Sequence, residues 1–374
     1  MNRLLLITAS ASMMAGGHCS ACLWDSDTLA MERQRFPGAH ELIAGYFVRH
    51  SDAYYKWRIA DRSAIPADHR RPIDYDDIAV AYDKLGQHDK AIDAIREKIQ
   101  RWPDEHRYES EANLGTFLIH AGQLEEGLTH ISNAIDINPE AHFGREVYQK
   151  LLVEYVIESR RQDTQLPLDK DHAVADAGFY AFVLAVRESS KRPSATLAQD
   201  AAKGVMGMMR FGQEGSPILL EALGDLLLAD HDDNDSKHLA ARAYLRASYE
   251  VHDPDASIAY REKAQQALEM QLGTDFSEVE SELKREIEQG KDLQRQTASD
   301  EAAWISLGKD LDAQFAEKYS GTPSFKVSRF DWSPIHPVTK LMIAGLGVLV
   351  ALVGLIALAV RYTARRITLR RRLT

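Results

Sequence analysis

The chain has 374 residues, of which 45% are hydrophobic and 27% are charged, so its composition is typical of a folded protein and not of a disordered one. The formal net charge is -11, and six arginines lie within the last fourteen residues, which leaves the rest of the chain at -17. An acidic body argues against nucleic acid as a partner, because phosphate binding needs a cationic face. Basic proteins, peptides or cations fit this charge better.

Residues 1–21 predict a secretory leader, because Arg3 precedes the apolar run Leu4–Ile7 and small residues suited to cleavage follow. An amino terminus that stays attached is the alternative, and the cleavage site is left open. Cys19 and Cys22 have no cysteine partner further along the chain, so no internal disulfide framework is predicted. Whether these two cysteines remain in the mature chain depends on where the leader is cut.

Residues 22–71 are predicted to form an amino-terminal capping segment. They contain an aromatic cluster at roughly helical spacing, made of Tyr46, Phe47, Tyr54, Tyr55 and Trp57. A repeat array without a cap would expose the apolar end of its first unit to water. We therefore expect these aromatic rings to cover that end.

Residues 72–141 contain one internal repeat, visible in the similar segments Ile78–Ile92 and Leu114–Leu128. In each unit a helical pattern ends at a glycine, a second helix carries a small residue for close packing, and a proline stops it. The turn glycines and the closing prolines both recur after thirty-six residues. The residues that define the repeat are Tyr82, Gly86, Ala91, Pro103, Gly115, Gly122, Ala134 and Pro139.

This repeat resembles the tetratricopeptide repeat (TPR) family, with Gly127 for the usual Ala, Leu118 for the usual Tyr and two extra residues between the units. The resemblance implies an all-α solenoid of helical hairpins whose first helices line a concave partner-binding groove. The implied groove residues are Asp76, Asp83, Lys84, Glu109, Asn113, Thr116 and His120. Asp76 and Val80 stand where the family's carboxylate-binding mode needs Lys and Asn, so an internal segment or a basic partner fits better.

Residues 142–272 are predicted to contain degenerate repeat-like helices, because one pair of units leaves an apolar face and about three units are usually needed for stability. Ser216–Leu228, with a proline in its first turn, and Leu239–Ala247 are the clearest of these helices. Residues 273–320 are rich in charge, and a single helix is predicted over 276–318.

The sequence predicts no metal site and no cofactor. Asp230, Asp232 and Asn234 have the spacing of the first ligands of a calcium loop, but Asp235 and Ala241 replace the required Gly and Glu. None of the fourteen histidines belongs to a His-Glu-x-x-His run or a similar motif. No nucleophile elbow, phosphate loop or dinucleotide fingerprint occurs, so the chain is not predicted to be an enzyme.

Residues 321–338 predict an extended juxtamembrane linker, and residues 339–360 predict a transmembrane helix. Leu341–Val360 is uncharged over twenty residues, which at about 1.5 Å of rise per residue matches a hydrocarbon core of about 30 Å. The arginine-rich tail 361–374 places the carboxyl terminus in the cytoplasm by the positive-inside rule. Small residues around Gly347 would also let two membrane helices pack as a homodimer.

These features predict a single-pass membrane protein with an exported, periplasmic or otherwise extracytoplasmic, amino-terminal domain. Its predicted function is that of a scaffold or adaptor that binds another protein or peptide. Two alternatives stay open. One is an enzyme or enzyme subunit of envelope maturation with active groups in the unassigned helices of residues 142–215, and the other is a structural stalk.

Overall fold

Fourteen α-helices and no strand make up the part of the chain that the computed structural model describes, which confirms the predicted all-α class. That part comprises residues 38–139, 145–161, 165–169, 178–188, 196–229, 236–269, 275–319 and 323–325. The helices are α1 (Ala39–Ala44), α2 (Asp52–Ala64), α3 (Pro72–Lys84), α4 (His88–Arg101), α5 (Arg107–His120), α6 (Leu124–Ile137), α7 (Arg145–Arg161), α8 (Gly178–Glu188), α9 (Leu197–Phe211), α10 (Pro217–Leu228), α11 (Lys237–Glu250), α12 (Pro254–Glu269), α13 (Phe276–Ser306) and α14 (Leu311–Lys318).

Within these ranges no helix is both long enough and apolar enough to cross a membrane. The predicted leader at 1–21, the predicted transmembrane helix at 339–360 and the basic tail at 361–374 lie outside the described residues. The same holds for the acidic turn at 230–235 that was considered as a calcium loop.

Helices α3 and α4 form one helical hairpin, hairpin 1, and α5 and α6 form a second, hairpin 2. Gly86 and Gly122 follow the first helix of each hairpin with φ angles of 70° and 81°, a left-handed conformation that glycine adopts without steric cost. In both turns the amide of the next residue donates to the carbonyl five positions earlier at 2.9 Å. The same turn therefore closes both hairpins.

The two helices of hairpin 2 approach each other closely at a pair of glycines. A Cβ atom on Gly127 would lie 2.8 Å from the carbonyl oxygen of Gly115 and 2.7 Å from the side chain of Ile119. A Cβ atom on Gly115 would likewise lie 2.9 Å from the carbonyl oxygen of Gly127. Because backbone atoms cannot rotate away as a flexible side chain can, this crossing requires glycine at both positions.

We expect Gly127→Ala to lower the free energy of unfolding by about 1–2 kcal/mol, because overpacking outweighs the better helix propensity of alanine. Urea unfolding of the full chain, followed by circular dichroism, measures the change. Gly207→Ala is the matched control, since a Cβ atom on this helical glycine meets only the side chain of Arg145, at 3.1 Å. It should be neutral or stabilising by up to about 1 kcal/mol. A stabilising Gly127→Ala would contradict the close crossing.

Helices α7 to α12 extend the array and contain most of the largest apolar core. α7 packs against α6 and α9, and α10, α11 and α12 pack in sequence. Fully buried members of this core include Val205, Met209, Leu223, Leu226, Leu239 and Leu245. Helix α10 begins as the sequence predicts, with Pro217 in its first turn and the Ser216 side chain accepting a hydrogen bond from the amide of Leu219.

Helix α13 runs back along the fold and packs against α1, α2 and α11. Near its end the fully buried Glu301 accepts a hydrogen bond from the Ser51 amide at 2.9 Å. On α14, Asp312 accepts hydrogen bonds from Tyr54 and Arg62. Burial raises the pKa of Asp312, but these two hydrogen bonds and the neighbouring Arg58 together outweigh it and hold the pKa below its usual value. The last helices are thus fastened to the segment that precedes hairpin 1.

The single helix predicted over 276–318 is in fact two helices. α13 ends at Ser306, and Gly308 has a left-handed φ of 61°. Asp310 then caps α14, since its side chain accepts a hydrogen bond from the amide of Ala313 at 3.1 Å. A left-handed glycine and an N-capping aspartate are both helix-boundary signals, which explains why the unbroken helix was a wrong prediction.

Candidate functional site

The candidate site is the surface formed by α3 and α5, the first helices of the two hairpins, which we call the α3–α5 face. It carries all seven residues predicted to line a groove, namely Asp76, Asp83, Lys84, Glu109, Asn113, Thr116 and His120. Four of these side chains meet in pairs across the two hairpins, Asp76 with Asn113 and Asp83 with His120. The side chains of the other three residues lie apart from these two pairs.

Asp76 is bound by a buried lysine that the sequence analysis missed. The Lys98 Nζ atom lies 2.8 and 2.7 Å from the two oxygens of Asp76, and the Asn113 side-chain amide donates to the same carboxylate at 3.0 Å. Lys98 is fully buried, whereas the side chain of Asp76 is 14% exposed. Burial raises the pKa of Asp76, and the hydrogen bonds from Lys98 and Asn113 oppose this rise. Asp76 is therefore the counter-ion of Lys98, and little of its side chain is exposed to solvent.

At the turn end of the same face, Asp83 holds two histidines. The Nδ1 atom of His88 lies 2.8 Å from Asp83 Oδ1, and the Nδ1 atom of His120 lies 3.0 Å from each oxygen of Asp83. The side chain of Asp83 is 9% exposed, and those of His88 and His120 are 24% and 25% exposed. These three residues have the chemistry and the spacing to hold a metal ion. No sequence motif revealed them, because His120 is 37 residues from Asp83.

The remaining groove residues differ in how open they are to a partner. Lys84 donates from Nζ to the carbonyl of Gly212 at 2.7 Å, and burial lowers the pKa of its ammonium group. Thr116 accepts a hydrogen bond from the Gln149 side chain on α7 at 3.1 Å. Glu109, in the first turn of α5, has a side chain that is 51% exposed. Glu109 is thus the groove residue most accessible to another molecule.

A second polar cluster lies in the interior, between α10, α11 and α12. The Nζ atom of Lys263 is 3.0 Å from Glu221 and 3.4 Å from Asp225, and all three residues are buried. The hydroxyls of Tyr260 and Tyr244 donate to Glu221 and Asp225 at 2.8 and 2.6 Å. Burial lowers the pKa of Lys263, but the two carboxylates outweigh it and raise the pKa above its usual value. Lys263 is therefore a cation held between two anions.

Backbone amides complete this interior cluster. Leu168 and Asp169 donate their amides to Glu221 at 2.9 and 3.2 Å, and Phe179 donates its amide to Asp225 at 3.0 Å. Together with the side-chain donors, these contacts engage all four carboxylate oxygens of Glu221 and Asp225. Because these carboxylates are fully engaged and shielded from solvent, they have no exposed edge for a substrate. The cluster instead fastens the segments at Leu168 and Phe179 to α10.

The fold and the α3–α5 face define an all-α protein built from helical hairpins, with a polar, partly buried surface between the first helices of two hairpins. A scan against models of known protein families and a search of curated proteins each found no match for this chain. What the chain binds must therefore follow from the chemistry of its own surfaces.

Proposed function

We propose that this chain is a membrane-anchored adaptor of the TPR type whose helical domain faces away from the cytoplasm and binds a protein or peptide on the α3–α5 face. The observation that carries the proposal is the repeat, since two hairpins with the same glycine turn follow each other after thirty-six residues and pack side by side. Stacked helical repeats characteristically use the extended surface of their aligned helices for binding. The exposed carboxylate of Glu109 lies on that surface.

Charge on the α3–α5 face supports a basic partner. Glu109 is its exposed carboxylate, whereas Asp76 is paired with Lys98 and Asp83 is bonded to two histidines. The chain outside its last fourteen residues carries -17. An acidic surface of this kind attracts cationic segments and accelerates their association.

The membrane anchor in this proposal rests on the sequence alone, namely the uncharged run Leu341–Val360 and the arginine-rich tail that follows it. Its test is a cysteine substituted for Ser281, an exposed residue of α13, in a chain without other cysteines. A membrane-impermeant maleimide should label Ser281→Cys in intact cells. Protection until the cells are permeabilised would contradict the outward orientation.

Site-specific photo-crosslinking in expressing cells tests the adaptor function. A photoreactive residue at position 109 should give a discrete covalent adduct, and one at position 125, an exposed position on the second helix of the same hairpin, should not. Glu109→Lys should reduce the yield of the adduct formed by a photoreactive residue at position 113. Glu125→Lys changes the net charge by the same amount and should leave that yield unaltered. Equal adducts from positions 109 and 125, or none from either, would contradict binding on the α3–α5 face.

A further inference from the structure

The side chains of Asp83, His88 and His120 lie close enough together to share one metal ion. Their ligand atoms all lie within 4.8 Å of one another, and both Nδ1 atoms face the same carboxylate. A tetrahedral zinc ion, with bonds of about 2.0–2.2 Å, keeps its ligand atoms roughly 3.3–3.5 Å apart. The two separations between an imidazole nitrogen and an Asp83 oxygen, 2.8 and 3.0 Å, are slightly shorter than this, and the ligand atoms of the two histidines lie within 4.8 Å of each other. A small adjustment of the two imidazoles would therefore accommodate the ion.

We propose that Asp83, His88 and His120 bind one zinc ion through the Asp83 carboxylate and the two Nδ1 atoms. Two imidazoles and one carboxylate are a donor set that suits zinc, whereas calcium and magnesium prefer sites made of oxygen atoms alone. Three protein ligands leave a fourth coordination position. Since the two imidazoles are about a quarter exposed, that position opens to solvent and takes a water molecule or a side chain of a partner.

The ligands stand on regular structure, which gives the site a fixed shape. Asp83 lies in the last turn of α3, His88 is the first residue of α4, and the Gly86 turn between them fixes their separation. His120 is the last residue of α5, which packs against both α3 and α4. Ligands on the ends of packed helices need little reorganisation to bind an ion. The zinc ion would fasten hairpin 1 to hairpin 2 at one end of the α3–α5 face.

The local charge balance also suits a divalent cation. The site combines one carboxylate with two imidazoles that coordinate in their neutral form, so zinc replaces the hydrogen bonds that the imidazoles make to Asp83. Lys84 follows Asp83 in the sequence, and its positive charge works against the ion. Its Nζ atom donates to the carbonyl of Gly212 at 2.7 Å, which leaves the Asp83 oxygens to the two imidazoles.

Zinc binding does not depend on the proposed adaptor function, because it can be measured without a partner. The parent for the test is the full chain with Cys19→Ser and Cys22→Ser, since thiolates bind zinc and would mask a second site. After removal of metal by a chelator, the parent is titrated with Zn²⁺ in competition with a chromophoric chelator. One equivalent should bind, and Co²⁺ should give the visible absorption bands of a tetrahedral site.

His88→Ala and His120→Ala should each weaken zinc affinity by at least about tenfold. Loss of a residue that only supports a metal ligand usually costs at least this much, and these two histidines are ligands themselves. His130→Ala is the matched control. The His130 side chain is also 24% exposed and its Nδ1 atom lies 2.7 Å from a carboxylate, that of Glu111. Because this pair includes no second histidine, the His130 substitution should leave zinc affinity unchanged.

If the histidine variants do not fold, zinc binding can be tested on the parent chain instead. Zinc should protect His88 and His120 of the parent chain, but not His130, from acylation by diethyl pyrocarbonate, as read by peptide mass spectrometry. A parent chain that binds no equivalent of zinc would overturn the proposal. So would a folded double variant His88→Ala/His120→Ala with undiminished affinity, or equal acylation of all three histidines with and without zinc. In those cases the cluster is a hydrogen-bonded tie between the hairpins and nothing more.

Discussion

Replacing Lys263 with methionine is expected to lower the free energy of unfolding of the full chain by about 3–5 kcal/mol. The substitution keeps most of the length of the side chain but removes the cation that lies 3.0 Å from Glu221 and 3.4 Å from Asp225. Two carboxylates would then remain in the interior without their counter-ion. An unpaired buried charge costs far more than the ion pair itself contributes.

Urea unfolding at several pH values gives a second signature of the same substitution. Burial raises the pKa of Glu221, and Lys263 opposes this rise. Without Lys263 the pKa of Glu221 in the folded protein rises further above its value in the unfolded chain, so the folded state takes up a proton more readily. The stability deficit of Lys263→Met should therefore be largest near neutral pH and should shrink as the pH falls.

Lys284→Met is the control for a general effect of losing a lysine. Lys284 pairs with Glu280 at 2.9 Å, but its side chain is 60% exposed. Its loss should change the free energy of unfolding by no more than about 0.5 kcal/mol, because Lys284 itself is exposed and Arg261 still donates to both oxygens of Glu280. Similar losses in the two variants, or a pH-independent deficit for Lys263→Met, would argue against a charged cluster in the interior.

The sequence was informative at several positions where the structural signal is local, although the boundary signals at Gly308 and Asp310 were missed. Gly86 and Gly122 mark the ends of the first helices because the left-handed turn needs glycine, and the structure shows that turn at both positions. Ser216 and Pro217 mark the start of α10 in the same way, through capping and a fixed φ. Such signals involve neighbours in sequence, so they could be read without knowledge of the tertiary contacts.

Contacts between distant segments could not be predicted in this way. Val279, Leu283 and Ile287 are spaced to form one apolar stripe of α13, but the pattern does not reveal which helices cover the stripe. The contact between Ser51 and Glu301 joins positions 250 residues apart. In the same way, nothing near Asp83 in the sequence indicates that His120 would approach it. These partners are selected by the packing of the whole array.

One missed feature did leave a signal in the repeat register. Asp76 and Lys98 of hairpin 1 correspond, thirty-six residues later, to Ala112 and Ala134 of hairpin 2. Two positions that change together from alanine to an opposite-charge pair indicate a contact between them. The structure contains that contact, with Lys98 fully buried against Asp76. Comparing the two units position by position would therefore have predicted the ion pair.

The same comparison leads to a double-mutant prediction with a large expected effect. Asp76→Ala should lower the free energy of unfolding by about 3–5 kcal/mol, because it leaves the ammonium group of Lys98 buried without its counter-ion. Adding Lys98→Met should restore part of this loss, since the second substitution removes the unpaired charge while filling its space. We expect the double variant to be more stable than Asp76→Ala alone by about 1–3 kcal/mol.

Urea unfolding of the two single variants and the double variant gives the coupling energy between positions 76 and 98. The control is Glu126→Ala, which removes a pair between Arg96 and Glu126 whose side chains are 50% and 49% exposed. That exposed pair joins hairpin 1 to hairpin 2, whereas Asp76 and Lys98 pair within hairpin 1, and its loss should cost less than about 1 kcal/mol. Additive effects at positions 76 and 98 would mean that Lys98 finds another counter-ion. Rescue by the second substitution would instead identify an ion pair, at positions where hairpin 2 has two alanines.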